Sequence, residues 1–235
     1  LVGSEKCIRD SIWSVFKENN IYASNFQPKN LINTPLSNFL YEEKSTVPYI
    51  SQEDLINALS DSLFLENKFN FIYYPNIDVI AHVFGVNSEE WIKEIKIFEE
   101  LVKKITELSN KKSYTVISAD HGLTNVPKEN RFHITYNEDV NIYGDQRSVY
   151  INGSKKDIIE IFSKVPGQLI DRSELNHLLP IPENDFIESL YPDFCFLVED
   201  KNIIYPHHLK TELAGYHGGM STEEIKIPII EIPNF

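Results

Sequence analysis

Two apolar runs on either side of a long amphipathic stretch set what this chain can fold into. Phe69 to Tyr74 is a short, β-rich run closed by Pro75, and Ser113 to Ala119 is a second of the same kind. Unbroken apolarity over so short a span is expected of a strand covered on both faces. Between them, from Ser88 to Leu108, Trp91, Ile95, Phe98, Leu101, Val102 and Ile105 fall on one helical stripe with charges opposite. Strand, long helix, strand is the order in which a parallel sheet takes its crossover, so an α/β chain is expected.

The flanking segments fill in around this unit. Cys7 to Asn19 carries Ile8, Ile12, Val15 and Phe16 at helical spacing, and Ile21 to Phe26 follows as a short strand. Asn30 to Asn38 is polar, contains a proline and is expected to be a loop. Ser51 to Phe64 is a second helix through Leu55, Ile56, Leu59 and Leu63, with Ser51 as its cap ahead of Glu53 and Asp54. After Asn125 the elements become shorter. Arg131 to Ile134 and Ser148 to Asn152 are expected as strands, Lys155 to Lys164 and Asp171 to Leu179 as helices. Phe194 to Val198 and Ile203 to Tyr205, separated by Glu199 to Asn202, are expected to pair as a hairpin. No internal repeat or long linker divides the chain, so residues 1–235 are expected as one domain with an α+β insertion near 130–210.

Composition narrows the functional classes. With 42% hydrophobic and 24% charged residues, the 235-residue chain has ample material for a core. Asp and Glu number 35 against 22 Lys and Arg, a formal charge of -13, which disfavours a large nucleic-acid footprint or an anionic membrane unless cations intervene. Small anionic substrates remain compatible if bound metal reverses the local charge. Cys7 and Cys195 form no CxxC spacing and no disulfide framework, which fits a reducing, cytoplasmic setting. No apolar run approaches the ~18 residues of a membrane span. Met220 is the only methionine, and the chain opens Leu1-Val2-Gly3-Ser4 without a signal-peptide pattern, so an upstream segment is expected to have been removed.

Three places combine acid and imidazole. Asp78 and His82 lie four apart just after the first apolar run, so one helical turn puts both on one face and lets them share an ion. The plain alternative is a helix cap and a surface histidine. Asp120-His121-Gly122 lies at the carboxyl end of the second apolar run, where open α/β sheets place ligands. An ordinary turn explains it too, but an adjacent Asp-His at a buried strand tip is costly to desolvate unless something pairs with both. His217 sits inside Gly215-Tyr216-His217-Gly218-Gly219, where glycines permit a close approach; by itself a loop histidine is more often surface. Together the five side chains offer nitrogen and oxygen donors without a thiolate, a set suited to zinc or manganese rather than calcium.

The context of these residues carries a resemblance. Tyr73-Tyr74-Pro75-Asn76-Ile77-Asp78-Val79-Ile80-Ala81-His82-Val83-Phe84-Gly85, then Ser118-Ala119-Asp120-His121-Gly122, then His217-Gly218-Gly219-Met220-Ser221 followed by Ile227-Pro228-Ile229, resembles in order and spacing the type I phosphodiesterase/nucleotide pyrophosphatase family of the alkaline phosphatase superfamily. The resemblance runs more loosely from about Ile8 to the end. It implies a three-layer α/β/α sandwich around a mostly parallel sheet, and two zinc ions per complete site, with manganese as an alternative. Asp78, His82 and His217 would hold one ion, and Asp120 and His121 the other. Such enzymes hydrolyse phosphodiester or nucleotide pyrophosphate bonds through a phosphorylated Thr or Ser. Tyr73 matches the position of an aromatic that lies against the nucleobase in relatives; an aromatic ending a core strand is the simpler role.

The chain departs from the family pattern at one end. The nucleophilic Thr or Ser and a further metal-binding Asp lie, in the family, upstream of the region matched by Ile8. Thr34-Pro35 is preceded by no ligand-type Asp on an apolar strand, and Thr34 is expected in a turn. The Asp78, His82 and His217 set is complete with a water, whereas Asp120 and His121 make only two protein ligands. His133, the nearest candidate to complete them, sits in Arg131-Phe132-His133-Ile134 and is expected on a strand. His177, His207 and His208 have no partner at metal spacing and are expected on the surface. Competing assignments are a phosphomonoesterase, sulfatase or phosphoglycerate mutase of the same superfamily, and a non-catalytic remnant that binds metal or nucleotide.

Overall fold

Parallel pairing organises the first part of the chain. The computed structural model describes residues 12–41, 45–60, 67–109, 113–179, 182, 184–206 and 212–234. In chain order the elements begin with α1 (Ile12–Glu18), β1 (Tyr22–Pro28), α2 (Pro35–Leu40), β2 (Thr46–Tyr49), α3 (Gln52–Ser60), β3 (Lys68–Ile72), α4 (Asn76–Phe84), α5 (Glu89–Leu108) and β4 (Ser113–Ser118). They continue with β5 (Thr124–Asn125), β6 (Arg131–Ile134), β7 (Asn141–Asp145), β8 (Ser148–Asn152), α6 (Lys155–Phe162) and β9 (Gly167–Asp171). The remainder is α7 (Arg172–Leu175), α8 (Asp185–Leu190), β10 (Phe194–Val198), β11 (Ile203–Pro206), β12 (Gly215–Tyr216), α9 (Thr222–Ile225) and β13 (Ile229–Asn234). Contacts divide the chain into two compact units, Leu1–Ile77 with Lys93–Val116 and Glu231–Phe235, and Asp78–Ile92 with Ile117–Ile230.

In the first unit β1 runs parallel to both β2 and β3, so Phe26 stands opposite Val47 on one side and Ile72 on the other. Phe26 is buried with Tyr49, Leu55, Leu59, Leu101 and Ile105. Leu55 and Leu59 are the apolar stripe of α3, Leu101 and Ile105 that of α5, and helical spacing explains why each pair reaches the core together. Ser51 caps α3 as expected, its hydroxyl accepting from Asp54 N at 3.1 Å while the Asp54 carboxylate accepts from Ser51 N at 3.2 Å. Leu55 has no solvent exposure. Its replacement by alanine is expected to lower stability by about 2–5 kcal/mol, read from the urea midpoint at unchanged slope.

Two expectations for this unit need correction. The runs at Phe69 to Tyr74 and Ser113 to Ala119 are not covered on both faces: Phe69 and Phe71 are 38% and 37% exposed, Tyr114 and Val116 57% and 54%. Exposure alternates along both strands, and on β3 the outward rings meet other aromatics, Phe16 to Phe69 at 4.6 Å and Tyr41 to Phe71 at 5.8 Å. The expected loop at Asn30 to Asn38 contains the start of α2, and Thr34 is its N-cap rather than a turn residue. Its hydroxyl accepts from Ser37 N at 3.2 Å with Pro35 in the first turn, where proline's missing N–H costs nothing. The first helix is described only as Ile12–Glu18; Cys7 and Ile8 lie outside the described residues, as does Leu63.

The second unit contains the whole stretch 130–210. An antiparallel sheet in the order β7-β8-β10-β9 packs against α6, with Val149, Ile151, Ile158, Phe162, Phe196 and Val198 in its core. β10 therefore does not pair with β11 as a hairpin. Both of its edges are taken, by β8 and β9, and β11 instead runs parallel to β6. The chain leaves β10 through Asp200 at φ 50, a left-handed residue that breaks the strand. The expected helix from Asp171 is only the single turn of α7, with Asp171 and Glu174 forming a reciprocal capping box, and α6 ends at Phe162. Cys195 is buried in β10, and burial pushes its thiol up to about 11.

Candidate metal centre

α4 begins directly after Pro75 and places Asp78 in its first turn and His82 in its last. The i,i+4 spacing brings His82 Nε2 to 3.4 Å from Asp78 Oδ1. His82 Nδ1 lies 2.8 Å from the carbonyl oxygen of Gly215, which fixes Nδ1 as the protonated nitrogen and leaves Nε2 with a lone pair. β12 pairs antiparallel with β5, Gly215 opposite Asn125 and Tyr216 opposite Thr124. It runs so close to α4 that a Cβ on Gly215 would stand 2.5 Å from the Ala81 oxygen, and Ala214 N donates to His82 O at 2.7 Å. Glycine at 215 is therefore what lets the strand deliver His217 to the helix.

The result is a three-donor cluster. Ligand atoms of Asp78, His82 and His217 all lie within 4.8 Å of one another. Asp78 Oδ1 is shielded from solvent and has no hydrogen-bond partner. A desolvated carboxylate oxygen beside an imidazole lone pair is costly without a cation, so the residues fit a bound divalent ion. Burial lowers the His217 pKa below its ordinary value; His121 and His82 push the same way, with Asp145 and Asp78 in opposition. The neutral ring is the form that binds metal.

Asp120 and His121 follow β4. Asp120 Oδ1 accepts from His121 N at 3.1 Å and stands 3.8 Å from His121 Nε2. The turn is held by α9: Gly122 N donates to Glu224 O at 2.8 Å, and a Cβ on Gly122 would come within 2.0 Å of Glu223 O. The His121 ring stacks on His217 with centroids 3.6 Å apart and planes 16° apart, while His82 and His217 centroids are 5.2 Å apart. All three acid-imidazole clusters thus lie side by side. Among the described residues only Asp78, His82 and His217 form a three-donor group.

The remaining sequence candidates fall elsewhere. Tyr73 follows β3 in the first unit, its N–H donating to Phe26 O at 3.0 Å and its carbonyl accepting from Tyr49 Oη at 2.6 Å. His133 stands on β6 with its ring 5.2 Å from that of Tyr205, and His177 is an exposed residue after α7. His207 and His208 lie outside the described residues. Sequence reading missed Arg147 and Glu224, both 1% exposed, which form a two-pronged ion pair with Nε–Oε1 at 2.6 Å and Nη2–Oε2 at 2.7 Å. Ser221-Thr222-Glu223-Glu224 was a legible capping pattern, with Ser221 N now seen 3.4 Å from Glu224 Oε2; Arg147 had no such signal.

Solved structures with the same fold define the class. Murine ectonucleotide pyrophosphatase/phosphodiesterase 5 superposes with TM-score 0.70 at 15% identity, over 93% of this chain and 62% of that one. Phosphonoacetate hydrolase from Sinorhizobium meliloti 1021, solved with phosphonoacetate, gives TM-score 0.64 at 12% identity, over 94% of this chain and 67% of that one. An inactive variant of the murine protein has been solved in complex with AMP, with TM-score 0.68 at 15% identity over 93% and 62% of the two chains. This is the mixed α/β fold of alkaline-phosphatase-like proteins. The type I phosphodiesterase/nucleotide pyrophosphatase family model matches residues 15–174, and the chain belongs to that family. It spans 62% of the length of the murine structure. No curated protein matches its sequence significantly. No helix among the described residues is long and apolar enough to cross a membrane.

Proposed function

We propose that the chain is the metal-binding part of a hydrolase acting on phosphodiester or nucleotide pyrophosphate bonds, completed by an upstream segment that carries the Thr or Ser nucleophile. The observation that carries this reading is the convergence of Asp78, His82 and His217, with one shielded carboxylate oxygen that accepts no hydrogen bond, in a chain of this family. Zinc suits the two imidazoles and one carboxylate, with manganese as the alternative. Asp120 and His121, stacked against the cluster, would contribute to a second ion whose remaining ligands come from the upstream segment. Ions held by these residues would supply charge stabilisation for an in-line displacement at phosphorus and would lower the pKa of the attacking group.

The chain's own residues prepare that chemistry. The Gly215 carbonyl orients the His82 ring with Nε2 towards the cluster, and burial lowers the His217 pKa, which favours the neutral, metal-binding form of that ring. Tyr73 is proposed to lie against the base of a nucleotide substrate, and the AMP complex of the murine protein supports a small nucleotide over a polymer. The formal charge of -13 points the same way. The buried Cys195 thiol fits a reducing, cytoplasmic setting.

A form of the protein that carries a nucleophile-bearing segment ahead of these residues tests the reading. It is expected to hydrolyse bis(4-nitrophenyl) phosphate faster than 4-nitrophenyl phosphate and to lose that activity with a chelator. Faster mono-ester turnover would favour a phosphomonoesterase. One equivalent of zinc with no turnover of either ester would leave a non-catalytic metal-binding protein.

A further inference from the structure

The loop that carries His217 rests against the β7–β8 hairpin. Arg147 stands in the turn between β7 and β8, and that turn is pinned on both sides. Its carbonyl accepts from Val198 N at 3.0 Å, and the carbonyl of Gln146 accepts from Ile204 N at 2.9 Å. The guanidinium is thereby fixed, with Nη1 donating to Asn202 O at 2.6 Å and the other two nitrogens gripping Glu224. Glu224 Oε1 in turn accepts from Gly219 N at 2.8 Å, two residues beyond His217.

The fit over this ion pair leaves no slack. A Cβ on Gly219 would stand 2.7 Å from Arg147 Nη2, 2.8 Å from Nε and 2.9 Å from Glu224 Oε1. Gly218 has φ +98, and a Cβ there would meet the Asp145 side chain at 2.9 Å. The backbone directly after His217 therefore lies flat on side chains from the β7–β8 hairpin. Glu224 also faces the second cluster, since its main-chain oxygen receives the Gly122 N–H.

We propose that Arg147 and Glu224 are positioning residues for the metal centre: through Gly219 they set where the His217 ring stands, and through α9 they tie the Asp120–His121 turn to the same frame. The inference rests on the assignment of Asp78, His82 and His217 as metal ligands. A buried ion pair contributes little net stability compared with apolar side chains of the same volume, because desolvation offsets the Coulomb attraction. What apolar substitutes cannot supply is a fixed acceptor for the Gly219 N–H. Groups that orient metal ligands in this way typically change affinity 10–100-fold when removed.

The chain itself is the test object, in three forms: unaltered, Arg147→Met/Glu224→Leu, and Arg147→Lys. Zinc affinity is measured by competition with a chelator, and cobalt is substituted to read the ligand geometry from its absorption spectrum. The double variant is expected to unfold cooperatively within a few degrees of the unaltered chain, yet bind zinc about 10–100-fold more weakly with an altered cobalt spectrum. Arg147→Lys, which keeps the charge but not the two-pronged grip, is expected to fall between them. Unchanged affinity and spectrum in the double variant overturn the proposal. So does a double variant that no longer folds, since the pair would then be a core element. An unaltered chain that takes up no metal overturns the metal centre itself, whereas equal uptake by all three forms overturns only the clamp.

Discussion

His217→Ala is expected to abolish stoichiometric zinc binding by this chain, from one equivalent to none after dialysis against micromolar free metal. Removing one of three donors leaves Asp78 and His82 alone, a pair on a single helical turn that water must complete. The ring's loss also uncovers the stacked face of His121, so that side chain gains freedom. Metal analysis of the dialysed protein, with circular dichroism to confirm an unchanged fold, gives the result. Retention of a full equivalent of zinc by His217→Ala would remove the centre from consideration. The same substitution is expected to leave the urea midpoint of the metal-free chain nearly unmoved, because His217 sits in a loop and its ring stacks on another imidazole rather than on the apolar side chains of a core.

How much of this centre was readable in advance depends on the range of the contacts that build it. Asp78 and His82 lie four apart, and α-helical geometry alone puts them on one face, so local periodicity sufficed. The Asp120-His121-Gly122 turn was legible because it ends an apolar strand. Nothing local, however, announced that β12 would pair with β5, or that Gly215 was a point of contact with α4 rather than ordinary loop glycine. The β10–β11 hairpin failed for the same reason. Adjacent strands with a short polar connection favour a hairpin on local grounds, and the competing partners, β8 and β9 for one and β6 for the other, are known only from the tertiary arrangement. Arg147 and Glu224 were overlooked because charged residues are ordinarily solvated, and only burial together distinguishes this pair.

Arg147→Met alone is expected to be the most destabilising single change in the second unit, by about 3–5 kcal/mol, because it strands the Glu224 carboxylate in the core without its cation. Burial pushes that carboxyl up, but the bonds from Arg147, Ser221 and the Gly219 amide more than offset it, and the group is held below its ordinary value. The sign of the pH dependence follows. A carboxyl whose pKa is lower folded than unfolded adds stability above the ordinary glutamate value of ~4.3, and that contribution fades as the pH falls through the folded value. In Arg147→Met the burial that pushed the carboxyl up is no longer opposed by Arg147, so protonation relieves the variant. Its deficit is therefore expected to be largest near neutral pH and to shrink towards pH ~4, as read from urea midpoints of both proteins across that range. A deficit constant with pH would mean that lost packing, not a stranded charge, is responsible.

The bond between His82 and the Gly215 carbonyl joins positions 133 apart in the chain. Closures of that span are entropically expensive and come late, after local helices and hairpins have formed. The centre is therefore assembled only once α4 and β12, at the two ends of that span, have met. Metal uptake followed in time after dilution from denaturant would serve as a clock for the final step of folding, lagging behind the helical signal.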